Sequence, residues 1–169
     1  MPTTATQIID SATDQAVRDT MQHLCEAWEA GDGKAYAALF SEDAQYVTAP
    51  GQRLHGREAI ATSHQQIFDT IFKNSKLGRN YPVAFHAIAP GVVLLEAAGA
   101  VLFPGERESD IPPNGLMTMV LAHRDDAWKI VSFQNTPTGP SRKARFIWRY
   151  FRSRMRLYST PNSPTRSAA

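Results

Sequence analysis

The chain has 169 residues, 43% hydrophobic and 20% charged, the balance of an ordinary globular protein long enough to bury a real core. Its one cysteine, Cys25, excludes an internal disulfide, and no apolar run reaches the roughly 18 residues that a membrane span needs. The net charge of +2 hides an asymmetry: residues 1–136 hold 10 Lys+Arg against 16 Asp+Glu, a balance of −6, while residues 137–169 hold 8 basic residues and no acid.

With no secretory signal at the polar N-terminus, a reducing cytoplasm is the expected compartment. Residues 1–12 are small and polar and are expected to be a frayed arm. From Thr13, a candidate N-cap, a helix is predicted to Ala30, with Val17, Met21, Leu24 and Trp28 on its apolar stripe and Gly31 as its stop. Cys25 borders that stripe and reads as a small core-facing thiol. A short helix over Lys34 to Phe40 follows, with Tyr36, Leu39 and Phe40 to bury. Gln45 to Thr48 reads as a strand, Arg53 to His55 as a second short one, and Gly56-Arg57-Glu58 opens a third helix with an acid in its first turn. On that helix Ile60, His64, Ile67, Phe68, Ile71 and Phe72 form one stripe, so a histidine sits among apolar neighbours.

After Ser75 the period changes to that of strands: Leu77 to Ile88, Val92 to Phe103, Leu116 to Arg124 and Trp128 to Thr136. Pro90-Gly91 and Asp125-Asp126 mark turns, and the Pro- and Gly-rich loop from Pro104 to Gly115 is long enough to suspect a role. Three helices followed by long antiparallel strands give an α+β order.

Trp28-x-Ala30-Gly31-Asp32, Tyr36 to Ala44, the Tyr46-Val47 strand, Gly56 to Ile60 with His64, and Trp128 to Thr136 together resemble the SnoaL-like branch of the nuclear transport factor 2-like superfamily. The pattern is similar to that of small proteins found with enediyne and other polyketide pathways, often labelled oxidoreductases. The resemblance covers about residues 13–137. It implies a cone-shaped, cystatin-like roll, in which a curved antiparallel sheet wraps against three helices around a pocket, and commonly a homodimer. In such a fold the third helix turns towards the pocket. Trp28, Tyr36, Phe40 and Phe68 are then pocket-lining candidates for a small hydrophobic molecule.

His64 is the first chemical candidate, because a neutral imidazole offers one donor and one acceptor and titrates near physiological pH. It is equally readable as a core histidine satisfied by a backbone carbonyl. Tyr46, with Gln134 or Asn135, is a candidate to hold a polarised oxygen of the ligand. Gln134 and Asn135 point to opposite sheet faces, and since both faces hold apolar residues, parity alone does not choose between them. Glu96 is the lone charge in Val92 to Phe103; inward it would be a general base with a raised pKa, and outward, the favoured reading, a solubility residue or a dimer-face contact. His55, His86 and His123 lack metal-ligand spacing and no glycine-rich nucleotide fingerprint occurs, so neither a metal nor a cofactor is expected.

Residues 138–169 depart from the family pattern. Over Ser141 to Tyr158, Ile147, Trp148, Phe151 and Met155 share one helical face and Arg145, Arg149, Arg152 and Arg156 another. A basic amphipathic helix is expected there, docking on the acidic body, a second subunit, an acidic protein or an anionic membrane; nucleic acid is a lesser partner. Three functions are open: a cofactor-independent acid–base enzyme on a polyketide-like molecule, with His64 and Tyr46 catalytic; a non-catalytic carrier of an apolar ligand; and a homodimeric association module.

Overall fold

A computed structural model describes residues 10–138 of the chain. Its elements run α1 (Ser11–Ala30), α2 (Gly33–Ala38), β1 (Phe40–Val47), β2 (Arg53–His55), α3 (Arg57–Phe68), β3 (Lys76–Ala89), β4 (Val92–Leu102), β5 (Gly115–Arg124) and β6 (Ala127–Pro137). The basic helix expected over 141–158 lies outside the described residues, as do residues 1–9 of the expected arm.

Helix α1 starts two residues before the expected cap. Asp10, not Thr13, is its N-cap: the Thr13 N–H donates to Asp10 Oδ1 (2.8 Å) and the Thr13 hydroxyl to Oδ2 (2.9 Å). A carboxylate there satisfies an otherwise orphaned backbone donor and meets the positive end of the helix dipole. At the other end Gly31 takes the left-handed conformation (φ 65°) that L side chains avoid, and its N–H returns to the Trp28 carbonyl. Val17, Met21, Leu24 and Trp28 are buried as the stripe predicts. Helix α2 is shorter than expected, ending at Ala38, so that Phe40 already belongs to β1.

The sheet has six strands in the order β2-β1-β6-β5-β4-β3. Every pairing is antiparallel except β1 with β6, where Tyr46 stands beside Phe133 in parallel register. Its inner face presents cross-strand rows, Val93, Leu121 and Ile130 in one, Leu95, Met119 and Phe133 in the next. These side chains are at most 2% exposed and are covered by the three helices. The result is the expected α+β roll, a curved open sheet around a core. No helix among the described residues is long and apolar enough to cross a membrane.

Helices α2 and α3 approach unusually closely because α2 begins with glycine. A Cβ on Gly33 would lie 2.6 Å from the Ala61 carbonyl oxygen and 2.6 Å from the Gln65 nitrogen, both backbone atoms that no rotamer change can move. The Gly33 N–H also donates to Gln65 Oε1 (2.9 Å). This contact brings Tyr36, one turn along α2, over His64 on α3. Gly33→Ala is therefore expected to destabilise the protein by about 1–3 kcal/mol, the usual scale of overpacking. Chemical denaturation measures it, and an unchanged midpoint would mean that the two helices separate freely.

Candidate functional site: a buried tyrosine pair beside a small cavity

The centre of the molecule is aromatic. Tyr36 lies face to face with His64, ring centroids 4.1 Å apart at 22°, and Tyr46 stacks on Phe133 at 4.4 Å and 8°. Trp28 meets Tyr36, His64, Phe68 and Phe72 through edge-on or tilted contacts at 5.0–6.3 Å. Its indole N–H donates to Ser75 Oγ (3.0 Å), whose hydroxyl in turn donates to the Phe72 carbonyl (2.7 Å). The Trp28 orientation is thereby fixed, and the one polar atom of a buried indole is satisfied.

The hydrogen-bond directions around His64 follow from elementary bookkeeping. His64 is 2% exposed, and burial lowers its pKa from the ordinary 6.5 to about 4, partly opposed by its bond to the Ile60 carbonyl, so the ring is neutral near pH 7. A carbonyl only accepts, so Nδ1 carries the proton and donates to Ile60 O (2.8 Å). Nε2 is then an acceptor, and the Tyr46 hydroxyl donates to it (3.3 Å). With the Tyr46 proton committed, the remaining contact, 3.5 Å between the Tyr36 and Tyr46 hydroxyls, has Tyr36 as donor. That distance is beyond the usual O–H···O range, so the Tyr36 O–H is held only weakly. Burial pushes the pKa of both phenols up, Tyr36 well above the ordinary value, and both stay protonated donors.

Beside these two tyrosines lies a cavity of about 60 Å³. It is smaller than an engineered cavity of about 150 Å³ that encloses benzene, but it opens to the surface, so a ring-sized molecule would project through its mouth. Leu24, Trp28, Tyr36, Tyr46, Ala100, Met117 and Phe133 form its buried wall, each at most 8% exposed. Leu77, Val101, Asn114, Gly115 and Asn135 are half-buried and form its mouth. Among the described residues no acid lines the cavity. No cluster of three metal-ligating side chains occurs among the described residues.

The candidates named from sequence divide accordingly. Trp28, Tyr36, Tyr46 and Asn135 line the cavity. His64 and Phe68 do not, contrary to the expectation that α3 faces it directly: the Tyr36 ring covers His64, and Phe68 packs against Trp28, Tyr36 and His64. Phe40 is fully buried behind the wall, against Tyr36, Tyr46 and Phe133. Glu96 lies on the outer sheet face, opposite in parity to buried Leu95 and Ala97, as the favoured reading had it. Gln134 is exposed on that same outer face, paired with Thr118.

A bulge explains why parity could not choose between Gln134 and Asn135. Val120 pairs with Ser132 but Leu121 with Ile130, so Val131 is an extra residue in β6. Ile130 and Phe133 are thus both buried although three apart, and Asn135 shares the inner face with Phe133. Asn114, Met117 and Phe133 were not singled out beforehand. The first belongs to the long Pro- and Gly-rich loop that had signalled a role, and the other two carry no signal beyond apolarity.

Residues 17–135 match the SnoaL-like domain family. A solved domain of unknown function with a cystatin-like fold from Nostoc punctiforme is 28% identical, over 86% of this chain and 88% of that one, with a TM-score of 0.68. A cystatin-like protein from Caulobacter vibrioides is 25% identical, over 80% and 97%, with a TM-score of 0.59. A Novosphingobium aromaticivorans protein provisionally named a scytalone dehydratase shares the fold at 17% identity, over 76% and 85%, with a TM-score of 0.61. No curated protein sequence matches the chain. With the match spanning most of the chain, and the roll built as that fold requires, the protein belongs to the SnoaL-like domain family.

Proposed function

We propose that the protein binds a small, uncharged, largely apolar molecule whose oxygen enters the cavity and accepts a hydrogen bond from Tyr36. The observation that carries this reading is Tyr36, which lines the cavity and whose buried hydroxyl has only a 3.5 Å hydrogen-bond contact to hold it. A ligand oxygen at ordinary distance offers it a better acceptor. The apolar wall supplies the rest of the affinity by excluding water.

This reading favours binding over proton transfer. A general base would have to reach the ligand, and His64 is screened by Tyr36 and has a pKa of about 4, too low for an effective base near pH 7. Its role is to fix the Tyr46 hydroxyl, which in turn leaves the Tyr36 proton as the one available. A bulky polyketide-like molecule would enter only by its leading group, given about 60 Å³ of space.

Calorimetric titration with phenol tests this. The native protein should bind it, and Tyr36→Phe should weaken binding about 2- to 12-fold, the equivalent of one net hydrogen bond of roughly 0.5–1.5 kcal/mol. Equal affinity in the variant, or no binding at millimolar phenol, would remove the role given to Tyr36.

A further inference from the structure

The polar groups at the cavity mouth narrow the class of ligand; this step rests on the binding reading above. Asn114 and Asn135 both line the mouth, and neither side-chain amide makes a hydrogen bond among the described residues. Their backbones are nonetheless fixed. The Asn114 N–H donates to the Gly99 carbonyl (3.0 Å), its carbonyl accepts from the Thr138 N–H (3.0 Å), and Asn135 pairs with Met117 in the ladder. Two amides held in place with unused donors and acceptors are a site prepared for a partner, because half-buried polar groups gain from being satisfied.

Gly115 completes the arrangement. A Cβ at that position would lie 3.2 Å from Asn135 Oδ1, so the missing side chain leaves the Asn135 carbonyl its place at the rim. Asn135 stands two residues beyond Phe133 on β6, about 6–7 Å further along the strand, a distance comparable to the length of an aromatic ring. The two ends of the cavity therefore ask different things of a ligand. The buried end, at Tyr36, offers a donor; the mouth offers donors and acceptors together.

We infer that Asn114 and Asn135 recognise an amide-type group, with an N–H donor beside a carbonyl acceptor, so that the ligand is a small neutral aromatic amide whose far end carries an oxygen. A primary amide matches the donor and acceptor of each asparagine. A carboxylate fits less well, since among the described residues no lysine, arginine or other cation lines the mouth to offset its desolvation.

The test compares three probes on the full chain by calorimetry: phenol, 4-hydroxybenzamide and 4-hydroxybenzoate. The amide should bind about 10-fold more tightly than phenol, roughly one or two net hydrogen bonds. Asn135→Asp, which keeps the shape but loses the N–H donors, and Asn114→Ala should each weaken the amide several-fold more than they weaken phenol. Circular dichroism at the titration temperature checks that the variants are folded. Equal affinity for amide and phenol, equal weakening of both by the asparagine variants, or a preference for the carboxylate would overturn the inference while leaving the tyrosine site standing. Failure of phenol itself to bind would instead overturn the underlying reading, and this one with it.

Discussion

Phe40→Ala is expected to cost about 3–5 kcal/mol of stability, the usual range for deleting a buried aromatic ring. Phe40 is fully buried at the start of β1, and its ring lies 5.6 Å from Tyr36, 5.7 Å from Tyr46 and 6.1 Å from Phe133. Those neighbours belong to a short helix and two strands, so no one side chain can relax into the space. The same rings carry the hydroxyls of the candidate site, and binding should weaken together with stability. Urea unfolding of the variant measures the first effect. A loss below about 1 kcal/mol would mean that the aromatic cluster closes over the gap, and that its geometry is softer than the contacts imply.

The second large effect is a dependence of stability on pH that one buried histidine produces. Unfolded, His64 titrates near its ordinary 6.5; folded, burial holds it at about 4. Between these values the unfolded chain binds a proton that the native state refuses, so stability falls as the pH drops from about 6.5 towards 4. The contribution present above pH 6.5 is on the order of 3 kcal/mol, since each tenfold loss of proton affinity on folding is worth about 1.4 kcal/mol. Unfolding free energies at pH 7.5 and pH 4.5 should differ by most of that amount. His64→Gln, which keeps hydrogen-bonding capacity but cannot titrate, should remove this part of the difference. If the variant retained the full pH dependence, the protonation would belong to other groups, and His64 would be ionised more easily than its surroundings suggest.

The sequence revealed more of the scaffold than of the site, for physical reasons. Periodicity is a property of neighbours along the chain, and the stripes of α1 and α3 therefore located Val17, Leu24, Trp28, Ile60 and His64 in the core. It did not locate the end of α3. The stripe continues through Ile71 and Phe72, but the helix caps at Asp69 and the chain turns, while Phe72 still packs on Trp28 from outside the helix. Whether His64 reached the cavity or sat behind its wall depended on Gly33, which lets α2 come close enough for Tyr36 to cover the imidazole. That is a contact between segments, invisible to any local pattern. Likewise the choice between Gln134 and Asn135 turned on one extra residue at Val131, and alternation cannot foresee where a strand will bulge. Tyr46 was legible as a strand aromatic in a recognisable motif, and Asn114 only as part of a loop too long to be a mere connection.

A crystal structure of the protein soaked in phenol would show whether Tyr36 presents its hydroxyl to a ligand oxygen inside the cavity. The phenol oxygen should lie inside the cavity about 2.5–3.0 Å from Tyr36 Oη, with the ring reaching out past Phe133 towards the mouth and His64 still bonded to Tyr46. Phenol bound with its oxygen turned away from Tyr36, or a cavity holding only ordered water at saturating phenol, would contradict the role given to Tyr36.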